Sequence, residues 1–347
     1  MSSAESMPYL CTPSSTENNG REVGTQPSEQ LADDVCQLRA WGTNVVHSLQ
    51  HPEGELVIGH ARVVRCDGKS MIETLDHAHV IRIDGVATFS APLLAGVEVE
   101  INNLIFIAES SATIAQRRFL ARLVGFGESN FATIDRALRT MRRATTRAQP
   151  IVLTGEGDLV PIARRLHVLM NKTVRPFVVV DPRRTTSGAT VRTDQSTKTA
   201  HDAMRVAGPN GTICILMHRR PKDFAEVLND RCTVPRIVVC AHSADPRMMV
   251  SPIAIPGLRS RTSDIDRVIA EYLADAADDL GTRRCVLDPR DDAWLRKHAG
   301  TFAEIETGTR RLVAIRSSVS ISQAAGKLGM TYVSLADWSR RWRLPAL

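Results

Sequence analysis

Between Leu38 and Ile107 the chain carries short apolar runs, NVVHSL, ELVIGHARVV, HVIRIDG, PLLAGVEVEI and NLIFIA, each separated from the next by turn residues. That spacing predicts a small β-sandwich over 35–110. From Ala115 to Ala148 the period changes. Phe131, Ile134, Ala137, Leu138 and Met141 recur at three- and four-residue steps, which is one face of a helix. Between Ile151 and Pro256 the runs IVLTG, PFVVVD, TICILM, RIVVCA and PIAIP are apolar throughout. Strands without polar alternation belong to a parallel sheet covered on both faces, so 115–282 reads as an α/β domain. Its last helix is predicted over Ser263–Leu280, with Ile265, Val268, Ile269, Tyr272, Leu273 and Ala276 as the buried stripe and Gly281 as the stop.

The segment SISQAAGKLGMTYVSLADWSRR predicts two short helices around a tight turn. Ser320 is placed as an N-cap with Gln323 completing a capping box, and Gly329 supplies the left-handed residue that ends the first helix. The second helix starts near Thr331. Ala324 and Ala325 allow close crossing, while Leu328, Leu335 and Trp338 fill the shared core. The expected fold is therefore multidomain: a β-sandwich, an α/β parallel-sheet domain, and an all-α helix-turn-helix over 285–347.

Composition narrows the picture. The 347 residues are 43% hydrophobic and 24% charged, enough for more than one core. Residues 1–34 are rich in Ser, Thr, Asn, Gln and Glu and are expected to be a disordered tail. No apolar run approaches a membrane span and the amino terminus lacks a secretory pattern, so a cytoplasmic protein without a membrane partner is expected. Seven scattered cysteines with no C-x-x-C pair point to reduced thiols. His77 and His79 share a strand face but lack a third ligand, so neither a metal nor another cofactor is expected.

Charge is unevenly placed. From Arg310 onward seven cations (Arg310, Arg311, Arg316, Lys327, Arg340, Arg341, Arg343) face one anion, Asp337, a surplus equal to the +6 of the whole chain. Such a cluster is the footprint of a polyanion-binding module, here double-stranded DNA. Tyr332, Ser334, Arg340 and Arg341, with Thr331 at the helix start, are the expected groove-facing residues, and Lys327 the expected phosphate contact. Eight further arginines between Arg117 and Arg147 are read as a solvated inter-domain face.

On these residues the carboxy-terminal segment resembles the Fis-type helix-turn-helix of bacterial enhancer-binding proteins. The middle of the chain resembles the sigma-54-interacting AAA+ domain of the same family. LVGFGESNFATIDRALRTMRRA matches its opening, and IPGLRSRTSDIDRVIAEYL its I-P-P-L-R-E-R signature, with Arg259, Arg261 and Asp264 in structural or subunit-contact places. The family's phosphate loop G-E-S-G-T-G-K-E corresponds to GEGDLVPI. Gly155 and Gly157 persist, but Asp158 stands where phosphates would lie and Pro161 replaces the lysine. Leu216 and Met217 replace the acidic pair that holds magnesium. A proline offers neither charge nor N–H, and these two apolar side chains cannot bind a cation. The sigma-54-contacting G-A-F-T-G-A loop has no counterpart between Asp181 and Ala203. The glycine-rich GPNG, Gly208 to Gly211, lacks a lysine and is sufficiently explained as a turn.

The sandwich resembles a forkhead-associated domain. One register puts His60, after Gly59, in place of the phosphate-binding arginine, with Ser70 as the serine and His77-Ala78 as the histidine-alanine step. The other puts His60-Ala61 at that step, and both are open. A histidine fork would bind phosphothreonine weakly and with pH dependence. The whole implies a sequence-specific DNA-binding transcriptional regulator, not an enzyme, that forms homo-oligomers and takes input from a phosphoprotein or another signalling partner. The alternative is a signalling adaptor that binds a protein through the sandwich.

Overall fold

The computed structural model describes residues 35–49, 55–66, 69–146, 149–171, 174–183, 195–229, 235–245, 248, 250–282, 287–298 and 300–344. The expected tail over 1–34 lies outside the described residues.

Ten antiparallel strands open the fold: β1 Gln37–Ala40, β2 Val46–Ser48, β3 Leu56–Ile58, β4 Ala61–Cys66, β5 Lys69–Thr74, β6 Ile81–Ile83, β7 Val86–Thr88, β8 Ser90–Pro92, β9 Glu98–Ile101 and β10 Leu104–Glu109. They form two sheets, ordered β2-β1-β10-β9-β6-β7 and β3-β4-β5-β8. Their inward residues, among them Leu38, Ile72, Ile81, Val99 and Phe106, make one apolar core. Strand β5, KSMIET, was not among the predicted runs, because its outward polar residues interrupt the apolar pattern.

Two helices follow, α1 Ser111–Val124 and α2 Phe131–Thr146. Ser110 caps α1 reciprocally with Thr113. The predicted stripe of α2 is buried at Ile134, Ala137, Leu138 and Met141. The arginines of this hairpin are only in part a solvated face: Arg118, Arg136 and Arg143 are exposed, but others are paired. Arg139 pairs with Glu98 and Arg142 with Asp84, both on the sandwich, and Arg122 bridges to Glu271 and Asp275.

The α/β region contains β11 Ile151–Gly155, α3 Val160–Met170, β12 Phe177–Val180, β13 Gln195–Thr197, α4 Ala200–Ala207, β14 Thr212–Leu216, α5 Phe224–Asn229, β15 Arg236–Ala241, β16 Ile253–Ile255 and α6 Ile265–Asp279. All six strands are parallel, in the order β13-β12-β14-β15-β11-β16. The five predicted apolar runs are five of them. The sixth, β13, is a short polar strand at the sheet edge. Arg261 holds the start of α6 by pairing with Asp264 and donating to the carbonyls of Arg122 and Leu123, a structural role in keeping with its sequence position. GPNG is the turn that ends α4.

The last elements are α7 Pro289–His298, α8 Phe302–Arg316, α9 Ile321–Lys327 and α10 Tyr332–Arg341. Helices α7 and α8 lack a clean apolar period and were not predicted, although Thr301 and Glu304 form a capping box that marks the start of α8. The expected boundary at 282–285 is crossed by packing. Phe302, Ile305 and Leu312 of α8 join the core beneath the parallel sheet, while Ala314 and Ile315, nearer its carboxyl end, join the core of α9 and α10. Residues 33–347 accordingly form one compact unit. No helix among the described residues is long and apolar enough to cross a membrane.

Charge also joins the sandwich to the helices. The Glu109 carboxylate, fully buried, accepts from Arg39 Nε at 3.0 Å, Arg117 Nε at 2.6 Å and Gln37 Nε2 at 2.6 Å. Arg117 also pairs with the buried Asp135, which accepts from the Gly42 N–H at 2.6 Å. Burial pushes the Glu109 carboxyl up, but Arg39, Arg117 and Gln37 outweigh it and hold the group below its ordinary value. A carboxyl with a depressed folded value stabilises above the ordinary carboxylate range and loses that contribution as acid titrates it. Glu109→Ala, which takes the buried Arg39 guanidinium off its carboxylate and leaves Arg117 with Asp135 alone, is expected to lower unfolding free energy by ~3 kcal/mol at pH 7. The difference from the parent should shrink below pH 4. Urea denaturation of both proteins across pH checks it, and an unchanged midpoint would refute it.

Candidate nucleic-acid interface and the cleft of the parallel sheet

A cleft of about 530 Å³ opens at the carboxyl ends of β11, β12, β14 and β15, the side on which parallel α/β sheets bind ligands. Gly155 and Gly157 line it. Gly157 has φ +77°, and a Cβ there would lie 2.9 Å from Thr301 Cγ2, so both conformation and space demand glycine. Asp158 Oδ1 accepts from the Val160 N–H at 3.1 Å, so a carboxylate already occupies the anion-favouring start of α3. Pro161 sits in the first turn of that helix, where it contributes no N–H. Leu216 ends β14, buried, and Met217 packs against the sheet's second core. Neither position offers a cation ligand.

Besides Ser196 of β13, four polar lining residues were not singled out from the sequence: Asp181, His218, Arg219 and His242. Arg219 Nη1 donates to Asp181 Oδ2 at 2.8 Å, tying the residues just beyond β12 and β14 together. The His218 and His242 rings lie 5.8 Å apart. Burial, with the neighbouring charges of Arg219 and His242, holds His218 below its ordinary value. The available signal was position, since each residue follows an apolar strand by one to three places. Among the described residues no group of three His, Cys, Asp or Glu side chains is disposed to hold a metal ion.

In the sandwich, His60, Ser70 and His77 do not form one site. Ser70 pairs across the hairpin with Arg65 and is only 9% exposed, whereas His60 precedes the opposite end of β4. The separation follows from strand geometry, about 3.3 Å per residue. His60 and His77 do lie at the same end. His60 Nδ1 is 2.6 Å from Asn102 Oδ1 and its Nε2 3.3 Å from the Val80 carbonyl, and its ring stacks on His79. The His77 ring meets Phe89 edge-on. Ala61 is buried and Ala78 exposed.

At the carboxy terminus α9 and α10 cross over Ala324, Ala325 and Leu335, with Leu328 and Trp338 packed alongside. Ser320 accepts from the Gln323 N–H, but Gln323 Oε1 accepts from Val319 N–H, not Ser320, so the capping box is only half formed. Gly329 adopts φ +64°, and the Met330 N–H reaches back to the Ala325 carbonyl. Thr331 caps α10 by accepting from Ser334 N–H, and the two hydroxyls lie 2.8 Å apart. Trp294 of α7 donates to the Trp342 carbonyl at 2.6 Å, which fixes α10 against α7.

The basic cluster is not one free patch. Lys327, expected on a phosphate, donates to the Ser317 carbonyl at 2.7 Å and to its hydroxyl at 3.0 Å, closing the end of α8. Arg316 is bidentate to the buried Asp291, Arg310 pairs with Asp279, and Arg311 stacks over Trp338. Arg340, Arg341 and Arg343 are exposed, as are Thr331, Tyr332 and Ser334.

No protein-family model matches the sequence, and no curated protein matches it. Among solved structures the chain is similar to the crystal structure of NtrX from Brucella abortus in complex with ATP, at 16% identity and a TM-score of 0.34, over 66% of this chain and 72% of that one. It is also similar to NtrX from Brucella abortus in complex with ADP, at 15% identity and a TM-score of 0.37, over 67% of this chain and 72% of that one. Both similarities are distant.

Proposed function

We propose that this chain is a sequence-specific DNA-binding transcriptional regulator, resembling sigma-54-interacting regulators but without their ATPase or sigma-54-contact motifs. One observation carries the reading. A helix-turn-helix with a buried inner face and an exposed outer face on α10 is packed on the α/β region, and three exposed cations, Arg340, Arg341 and Arg343, lie on or just beyond that helix. Such packing reduces the ordering entropy lost on docking and fixes which side of the helix meets a groove.

The AAA+-like domain is read as a scaffold for homo-oligomers, not an enzyme. Asp158 at the α3 start, Pro161, and the Leu216-Met217 pair support this reading. The sandwich is read as forkhead-associated-like in the register that puts His60-Ala61 at the histidine-alanine step. Burial of Ala61 and the bonds of His60 to Asn102 and Val80 favour it, and they make His60 a structural residue instead of a phosphate fork. The adaptor alternative draws support from the exposed Leu75, Val80 and Phe89 near His77, an apolar surface suited to a protein partner.

Anisotropy titrations of the full chain against duplex DNA test the main reading. With two or three free arginines per module, the log–log salt slope should be roughly −2 to −3 per module. Replacing Arg341 and Arg343 together by alanine should weaken binding to all sequences alike and flatten the slope. Lys327→Ala should instead lower the melting temperature, by an amount corresponding to ~1 kcal/mol, and leave the slope unchanged. Binding that does not respond to salt would remove the DNA reading in favour of the adaptor. For the cleft, no ATP turnover above buffer is expected, nor any magnesium-dependent rise in melting temperature. Hydrolysis that purifies with the chain and disappears in Asp158→Ala would overturn that expectation.

A further inference from the structure

The outer face of α10 is set by its inner one. Leu335 is fully buried, Trp338 packs beside it, and the Trp342 carbonyl is bonded to Trp294, so the helix cannot roll. At 3.6 residues per turn the stripe opposite Leu335 runs through Val333, Asp337 and Arg340, while Arg341 and Ser334 lie to one side. Val333 is 64% exposed. The side chains of Asp337 and Arg340 are 50% and 80% exposed and are joined at 3.2 Å.

An acid at the centre of this face is the informative feature. A helix that merely tracks phosphates gains nothing from a carboxylate beside its cations, and the phosphates repel that charge. Where a helix reads base edges, the same carboxylate fixes a guanidinium. Arginine donates to guanine O6 and N7 as a planar fork, and a carboxylate on the fork's other side orients it. Of the contacts expected from the sequence, Lys327 is bonded to Ser317 and Ser334 to Thr331, while Tyr332, Arg340 and Arg341 stay exposed. Val333 is the second residue of α10, and the first turn of a recognition helix reaches base edges. It presents only methyl groups, the chemistry that meets a thymine methyl. Seven residues of helix separate Val333 from Arg340, about 10 Å, or roughly three base-pair steps.

We propose that Val333, Asp337 and Arg340 form the base-reading strip of this chain: Arg340 contacts a guanine, Asp337 is its positioning residue, and Val333 meets a thymine methyl two to three base pairs away. The assignment rests on the DNA-binding reading above.

Selection from random duplexes by the full chain tests it, alongside Asp337→Ala, Arg340→Ala and Val333→Ala. The three side chains are exposed, so folding should survive, and melting temperatures confirm it. The unaltered chain should select a site holding a guanine and, two to three pairs away, a thymine. Arg340→Ala should lose the guanine, roughly a tenfold loss of discrimination at that pair, with the thymine kept. Asp337→Ala should relax the same pair while binding unselected DNA more tightly, because a repelling charge is gone. Val333→Ala should relax only the thymine. Variants that keep the parent preferences and lose affinity equally on every sequence would show that the strip contacts phosphates, and the proposal fails. If the unaltered chain selects no sequence, the sequence-specific reading itself fails first, and this assignment with it.

Discussion

Glu109 stands where four elements meet. Its carboxylate, taken wholly out of water at the end of β10, is opposed by Arg39 from β1 and Arg117 from α1, and through Arg117 by Asp135 from α2. A buried charge is tolerated only with partners held in good geometry, so each of these elements must be in place for the others to be. The consequence is mechanical. The sandwich cannot swing on the α1–α2 hairpin without exposing uncompensated charge, and the outer pairs Arg139–Glu98 and Arg142–Asp84 extend the same lock along α2.

A second coupling runs through α8. One end of this helix completes the core under the parallel sheet and the other completes the core of the helix-turn-helix. Thr301 at its start also closes on Gly157 in the loop after β11. The carboxy-terminal helix pair is therefore an extension of the α/β region and not a bead on a linker. Cores this continuous transmit displacement because packed interiors have little free volume to absorb it.

Charge accounting changes what the basic tail means. Guanidinium and ammonium groups close to carboxylates or helix-end carbonyls pair with them first, and Arg316, Arg310 and Lys327 have done so. The cleft shows the same principle with opposite sign: Asp158 accepts from the Val160 N–H of α3 and Asp181 from Arg219. In both places charged groups are satisfied within the protein itself.

The chain's own pattern was sufficient for the elements with strong periodicity. Five apolar runs determined five parallel strands, the stripe from Ile134 to Met141 determined α2, and Ser320, Gly329 and Thr331 determined the two ends of the helix-turn-helix, because caps and period are local properties of neighbouring residues. It was silent on β5 and β13, whose polar residues break the pattern, on α7, which buries only Trp294 and Leu295 among its apolar residues, and on α8, whose apolar residues serve more than one core so that no single stripe emerges. That Pro161 carries neither charge nor N–H and that Leu216 and Met217 carry no carboxylate was legible because it depends on residue type alone. Which charges are free, and whether His60, Ser70 and His77 meet, depends on partners tens of residues away, and the sequence has no term for distance in space. Only the tertiary structure could take Lys327 off the outer surface, part Ser70 from His60 along a strand, and leave Val333, Asp337 and Arg340 as the strip that faces outward.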